Sequence, residues 1–429
     1  MANTEVVFAG KKLRNPIGVA SHASLSTAGI VPEKLADHLM RYVDCGASFL
    51  YTPFTNPETE HPKDKLPGWR FQNIRSRFPF AMEGLVVSAD AYRIMARLDT
   101  TLRAIEILKR AVPDGVVVIA NIIGPSADKK GWAEHAKKFE QAGADIIEMN
   151  VSCPLPATEA KAVSGYLAEE ISEAAGVLLG DSIPLLLPVV EEVVKAVKIP
   201  VGVKMSPETG FPRLVGLAES IKKAGVAYIS GINSPLTAGP PDIYNGGKGK
   251  WPQMEGNAIC PALGPWDRFL CYRNVAAITM FVPGIDVAAI GGLVEKEHVI
   301  EAMMLGAKIT ELSSGIFWRG TDFIKESIEF LEHYMDTQGY STVDDFIGLG
   351  IQDFRPVEEL DWRLGEVVPE IDDSKCTRCN ICAKNICFAR TSTIELNEEY
   401  CSGCGLCAAI CPLKAITMVE KKHKVLLLD

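Results

Sequence analysis

Residues 142–151 read Ala142-Gly143-Ala144-Asp145-Ile146-Ile147-Glu148-Met149-Asn150-Val151, and this pattern decides the fold of the 429-residue chain. An amphipathic segment runs up to Ala142, a glycine follows, and an apolar run begins at once. Glycine at the position just past a helix takes the left-handed conformation without Cβ strain and stops the helix cleanly. The same unit recurs at Cys45-Gly46-Ala47, Ala224-Gly225-Val226 and Leu305-Gly306-Ala307. The runs at 145–151, 199–205, 226–232, 286–290 and 308–312 are short and rich in Val and Ile, as buried parallel strands are. Eight candidate strands start near Ile17, Phe49, Val116, Ile146, Val201, Ala227, Val287 and Ile309. Eight strands alternating with helices predict an α/β chain built as a (β/α)8 TIM barrel. The rival, an open doubly wound sheet, is disfavoured because no GxGxxG follows any strand.

Working outward, two insertions interrupt the repeat, from Pro53 to about Val86 and from Ser234 to about Pro265. Both follow candidate strands and are rich in Pro, Gly and polar residues. Loops that follow barrel strands form the active face, and long ones there are usually functional. The periodicity weakens beyond Gln338, and the stretch from Arg355-Pro356 to Asp373 is acidic. The expected organisation is a barrel over residues 1–345, a linker over 346–370 and a small cysteine-rich domain over 371–429.

A net charge of −10 argues against nucleic-acid binding. The start of the chain shows no apolar signal-type region, and the most apolar run, Ser182 to Val190, is far short of the ~20 residues of a membrane span. A cytoplasmic protein without a membrane segment is expected. Of twelve cysteines, eight fall between Cys376 and Cys411. A long cytosolic chain makes disulfides unlikely companions for that clustering, and metal ligation fits it better.

Cys401-x2-Cys404-x2-Cys407-x3-Cys411-Pro412 matches the bacterial ferredoxin run, and Cys376-x2-Cys379-x2-Cys382-x4-Cys387 is a slightly irregular second copy. Three closely spaced thiolates grip one face of a 4Fe-4S cubane and the fourth comes from the other run. The expected sets are therefore Cys376, Cys379, Cys382 and Cys411 for one cluster, and Cys401, Cys404, Cys407 and Cys387 for the other, a two-cluster ferredoxin-like domain. Thiolates also suit structural zinc, which is the alternative. Such clusters pass single electrons, whereas chemistry on a small organic substrate usually needs two. A flavin in the barrel would convert between them.

Four patches at strand ends carry candidate chemistry. They are Glu148-Met149-Asn150-Val151-Ser152-Cys153-Pro154, Val203-Lys204-Met205-Ser206-Pro207, Ile232-Asn233-Ser234, and Gly291-Gly292 together with Ser313-Ser314-Gly315. They resemble the motifs of the dihydroorotate dehydrogenases. The whole chain resembles the ferredoxin-bearing catalytic subunits of bacterial dihydropyrimidine dehydrogenases. The resemblance implies FMN in the barrel, with Ala20, Ser21, Asn121, Asn150, Lys204, Gly291, Gly292, Ser313, Ser314 and Gly315 around it. It implies Cys153 as general acid/base, a role suited to a thiol whose ordinary pKa of ~8.5 lies near working pH. Lys204 would stabilise charge on the reduced flavin, and Asn150, Asn233 and Ser234 would hold the substrate. Each residue has a plainer reading: a cysteine that only packs, a solvated lysine, a turn asparagine, ordinary strand-to-helix turns.

What the resemblance implies for function is reversible reduction of a polarised C=C bond, as in uracil or thymine to the 5,6-dihydro form, with electrons relayed through the clusters. Because no dinucleotide fingerprint is present, a flavin- and NAD(P)H-binding partner subunit or a ferredoxin-type donor is expected, in an oligomer. The alternatives are a related reductase of another unsaturated compound, aromatic or acyl, and an electron-transfer subunit of a larger redox complex. Departures bear on this choice. The end of the second strand reads Leu50-Tyr51-Thr52-Pro53, without the lysine usual in the family. The position of the asparagine expected after strand three is shared between Asn121 and Asp128 as candidates. The Pro53–Val86 and 155–165 loops differ from the pyrimidine enzymes.

Overall fold

The computed structural model describes residues 2–21, 31–55, 69–74, 84–89, 96–124, 128–151, 177–251, 255–257, 259–363, 366–384, 387–390 and 394–421. The described residues fall into two compact units, divided between Asp353 and Phe354.

The first unit is the barrel. Its strands are β1 (Ile17–Val19), β2 (Phe49–Tyr51), β3 (Val117–Ile122), β4 (Ile146–Asn150), β5 (Val201–Lys204), β6 (Tyr228–Ser230), β7 (Asp286–Ile290) and β8 (Ile309–Leu312). Each pairs in parallel with the next, and β8 pairs with β1 to close the ring. Every expected start lies within one residue of an observed one. One long helix follows each strand: α1 (Pro32–Asp44), α2 (Leu98–Ala111), α3 (Lys129–Gln141), α4 (Ile183–Ala196), α5 (Arg213–Lys223), α6 (Arg268–Phe281), α7 (Lys296–Met304) and α8 (Asp322–Gln338). Helices outside and packed side chains inside bury both faces of the strands, which is why β3, β4 and β8 are buried at every position, polar residues included.

The helix–glycine–strand repeat has one geometric cause. After α3, Gly143 N–H donates to Glu140 O at 3.0 Å and Ala144 N–H to Phe139 O at 3.1 Å. The same pair of bonds closes α1 through Gly46 and Ala47, α5 through Gly225 and Val226, and α7 through Gly306 and Ala307. All four glycines have positive φ. This is the Schellman arrangement, which satisfies the last carbonyls and turns the chain into the next strand.

The two insertions meet. Trp69–Ile74 and Gly84–Ala89, from the loop after β2, form one antiparallel sheet with Leu236–Ala238 and Ile259–Leu263, from the loop after β6. Ala262 pairs with Val86 across the join. Since β2 and β6 lie on opposite sides of the ring, the sheet ties its two sides together at the C-terminal end. At the other end, an N-terminal hairpin (Val6–Phe8 with Lys11–Leu13) sets the buried Phe8 ring 4.6 Å from Tyr228 and closes the floor.

In the second unit Val367–Ile371 pairs antiparallel with Ile416–Glu420. Its small core holds Cys382, Cys407 and Ile416. Among the described residues no helix is long and apolar enough to cross a membrane.

Candidate active site and cluster centre

Strand register brings the polar residues of β3 to β6 into two levels inside the barrel. Asn121 lies beside Glu148, and Glu148 beside Gly202 and Tyr228. One step toward the C-terminal end, Asn150, Lys204 and Ser230 stand side by side. Residues two apart on a strand share a face, so Glu148 and Asn150 both point inward. Gly202 is needed at its level, because a Cβ there would lie 2.0 Å from the Tyr228 ring.

The upper level is a directed chain of amides. Ser234 N–H, which can only donate, gives its hydrogen to Asn233 Oδ1 at 2.8 Å. Asn233 must then turn its Nδ2 to Asn150 Oδ1, at 3.2 Å, and Asn150 its Nδ2 to Asn121 Oδ1, at 3.3 Å. Asn121 Nδ2 ends the chain on Glu148 Oε1 at 2.7 Å. Each partner's orientation is thus set by the one before it. Asn121, Asn150 and Lys204 are buried, and Asn233 is half-buried. The Lys204 ammonium makes no hydrogen bond or ion pair among the described residues. Of the two asparagine-position candidates, the structure puts Asn121 in the site; Asp128 caps α3, accepting from Lys130 N–H.

Below the amides lies a buried acid–phenol network that the sequence reading did not assign. Tyr228 Oη donates to Glu148 Oε2 at 3.1 Å, Tyr51 Oη to Glu311 Oε1 at 3.0 Å, and the two hydroxyls are 3.3 Å apart. Ser230 Oγ donates to Glu311 Oε1 at 2.7 Å, while Glu311 Oε2 has no partner. Burial raises Glu148 above the ordinary carboxyl range, with the Lys204 charge opposing. Burial, reinforced by the Glu148 charge and opposed by Lys204, pushes Glu311 up to about 8. Burial also raises both tyrosines. The available signal was alternation: Glu148 sits two residues before Asn150 within an apolar strand, and Glu311 interrupts another. Tyr51 stands at the end of β2, where the family's second lysine was missed, and faces inward to Glu311.

The remaining expected residues ring the C-terminal end. Ala20 N–H donates to Leu312 O on β8, and Ser21 Oγ to Thr52 O beyond β2. Gly291 and Gly292 follow β7 with φ of 122° and 65°. A Cβ on Gly292 would lie 2.5 Å from Arg268 N and 2.7 Å from Gly264 O, so the loop is held against the start of α6. His298 fastens its far side: Nδ1 accepts from Val294 and Glu295 N–H at 3.2 and 3.1 Å. Ser313 precedes a short helix, Ser314–Arg319, that includes Gly315. Ser152 and Cys153 lie outside the described residues.

In the second unit both cysteine runs wind alike. Arg378 and Asn380 flank Cys379 with positive φ, as Gly403 and Gly405 flank Cys404. Left-handed residues on either side of the second cysteine turn the backbone around a centre. Among the described residues no three His, Cys, Asp or Glu side chains converge as around a single ion. Instead Cys387, Cys401, Cys404 and Cys407, the set expected for one cluster, line a cavity of about 200 Å³ together with Arg390, Phe388, Tyr400 and Met418. Burial raises the Cys382 and Cys407 thiols, and the Arg390 charge draws both down. Cys376 and Cys411 are half-buried and Cys379 exposed, and Cys411 Sγ accepts from Ala415 N–H at 3.3 Å.

Comparison with known proteins matches this architecture. The family model for dihydroorotate dehydrogenase matches residues 91–335, and that for a 4Fe-4S binding domain matches residues 394–417. Over 348 residues the chain is 30% identical to the NAD-dependent dihydropyrimidine dehydrogenase subunit PreA of Escherichia coli K12, covering 76% of this chain and 77% of that protein. It is 30% identical over 243 residues to the catalytic subunit of dihydroorotate dehydrogenase B (NAD(+)) of Methanocaldococcus jannaschii, covering 54% and 67%. The corresponding subunit of Methanothermobacter thermautotrophicus is 28% identical over 240 residues, covering 56% and 71%. The chain belongs to the dihydroorotate dehydrogenase family, an oxidoreductase of CH–CH bonds that carries a 4Fe-4S binding domain in addition to its barrel.

Proposed function

We propose that the barrel binds FMN and reversibly reduces the polarised C=C bond of a pyrimidine such as uracil or thymine, with electrons passing through two 4Fe-4S clusters. The observation that carries this reading is the directed amide chain Asn233–Asn150–Asn121 lying beside a buried Lys204 that makes no hydrogen bond among the described residues. The residues suit a flavin. A buried ammonium with no hydrogen-bond partner among the described residues has donors to give, and Lys204 would meet the pyrimidine edge of the ring system, where reduction places negative charge. Gly291 and Gly292 leave no room for side chains where bare N–H groups would meet a phosphate, next to Ser313, Ser314 and Gly315. Ala20 and Ser21, at the end of the neighbouring β1, would close the adjacent side. When bound, FMN supplies the two-electron, hydride-transferring chemistry.

Within that site the chain's own residues divide the work. Asn150 and Asn233 hold the substrate's imide edge, with Ser234 fixing Asn233. Cys153 holds the proton exchanged with the carbon next to the one that takes hydride. Lys204 offsets the charge of the reduced state. A compact ammonium does this without bidentate geometry.

The two-cluster reading is supported by the matching left-handed pairs around Cys379 and Cys404 and by the cavity lined by Cys387, Cys401, Cys404 and Cys407. Cys376, Cys379, Cys382 and Cys411 would hold the other cluster. A partner subunit carrying flavin and binding NAD(P)H would deliver electrons in an oligomeric complex, consistent with the relatives being named as subunits.

A second reading, reduction of a different unsaturated compound, is favoured by Tyr51 standing where the family has lysine. Cys153→Ala decides the mechanism: turnover should fall roughly 10²–10⁴-fold while the flavin stays bound and photoreducible. Full turnover would remove Cys153 from the reaction. Reoxidation of the reduced flavin by uracil or thymine supports the first reading. Failure with uracil, thymine and orotate alike supports the second.

A further inference from the structure

Arg390 is 1% exposed, in a unit whose described core is only a few side chains. Two of its nitrogens, Nε and Nη1, are buried without a hydrogen-bond partner. The guanidinium charge draws down the thiol of Cys382 in the first cysteine run and that of Cys407 in the second, both otherwise raised by burial. It also lines the cavity with Cys387, Cys401, Cys404 and Cys407. Cys382 and Cys407 themselves belong to one small core with Ile416. Arg390 therefore lies where the two runs meet.

A buried cation with unmet donors is costly, and no carboxylate of the unit is paired with it among the described residues. The anions at hand are thiolates and, once a cluster is built on them, its sulfides. A 4Fe-4S cluster held by four thiolates is itself an anion and gains a further negative charge with each electron. A guanidinium fixed beside it favours the reduced form, because cluster potentials follow net charge, hydrogen bonds to sulfur and solvent exposure. It offers several donors in one plane.

We propose that Arg390 is a positioning residue shared by the two clusters, holding both reduction potentials high by placing one buried positive charge between their ligand sets. The inference rests on the two-cluster reading. One electron enters a cluster as the unchanged guanidinium offsets its charge, with no bond made and no proton moved. The residue sets how readily electrons enter the relay.

The test is a redox titration of the cluster-loaded full chain, followed by the electron paramagnetic resonance of the reduced clusters, alongside iron and sulfide analysis. In Arg390→Gln the reduction equilibria of both clusters should become about tenfold less favourable, which is about 59 mV for a one-electron couple. Arg390→Lys, which keeps the charge, should shift by less than half as much. If Arg390→Gln loses its clusters and Arg390→Lys keeps them, the charge requirement is likewise supported. Unchanged potentials in a fully loaded Arg390→Gln, equal shifts in both variants, or loss of clusters from both would overturn the proposal. Wild-type iron and sulfide amounting to one cluster would overturn the two-cluster reading instead.

Discussion

Glu148–Tyr228–Tyr51–Glu311 is a row of three oxygen–oxygen contacts of 3.1, 3.3 and 3.0 Å in the barrel interior, and two phenolic hydrogens cannot bridge all three. Tyr228 gives its hydrogen to Glu148 and Tyr51 gives its hydrogen to Glu311, which leaves the contact between the two hydroxyls without one. Two buried acids act with one ammonium, Lys204, so one of the acids is left without a charge partner. Glu311, pushed up to about 8 from an ordinary 4.5, is the acid that keeps its proton near neutrality. The folded chain therefore binds more protons than the unfolded one between those values. That contribution to stability is complete below 4.5 and is lost as pH rises through about 8. Glu311→Gln, which removes the ionisation, should flatten the decline in melting temperature between pH 6 and 9. Parallel declines for variant and wild type, followed by circular dichroism, would rule the protonated Glu311 out. This network was the least legible part of the molecule. Glutamate in a strand reads as solvent-facing unless its neighbour two residues away is known to point inward. Asn150, Lys204 and Asn233 were readable because each ends an apolar run, where barrel chemistry is placed. Asn121 was ambiguous because it lies within its strand rather than after it.

At the scale of elements, the four Schellman turns made the helix-to-strand junctions readable from local sequence alone. The antiparallel sheet joining the loops after β2 and β6 was not readable, since its pairings link residues with no common local pattern. The β7 loop combines both kinds of constraint. Gly292 has a left-handed φ, which sequence can suggest, and presses on the start of α6, which only the fold reveals. An alanine there would suffer both a left-handed penalty and a clash with backbone Arg268 N and Gly264 O. Gly292→Ala should destabilise the barrel by about 1–3 kcal/mol and weaken FMN retention, because the backbone that must move is the proposed phosphate cradle. Urea unfolding and the flavin content of the purified variant check both. Wild-type stability with full flavin would show that the cradle lies elsewhere.

The two units are stabilised by different means, and the difference predicts how the molecule comes apart. The barrel has one continuous apolar core running from Val6 to Phe346. In the second unit the described core contains Cys382, Cys407 and Ile416, two of them expected cluster ligands. So small a core rarely supplies more than a few kcal/mol, and small domains of this kind usually draw their stability from bound metal. On the proposed two-cluster reading, removing the iron also leaves Arg390 buried without the anions inferred for it, a further cost to that unit. Anaerobic iron chelation should therefore open the segment after Asp353 while leaving the barrel folded. Limited proteolysis of the chelated chain should cut first beyond residue 353 and yield a stable fragment. The barrel's melting temperature should stay within about 2–4 °C of its value in the loaded chain, the shift expected from about 1 kcal/mol in a domain of that size. The flavin should remain bound to the fragment and be reduced by light, but no longer by electrons supplied through the clusters. Loss of the flavin together with the iron, or early cuts within the barrel strands, would mean that the clusters stabilise the barrel itself.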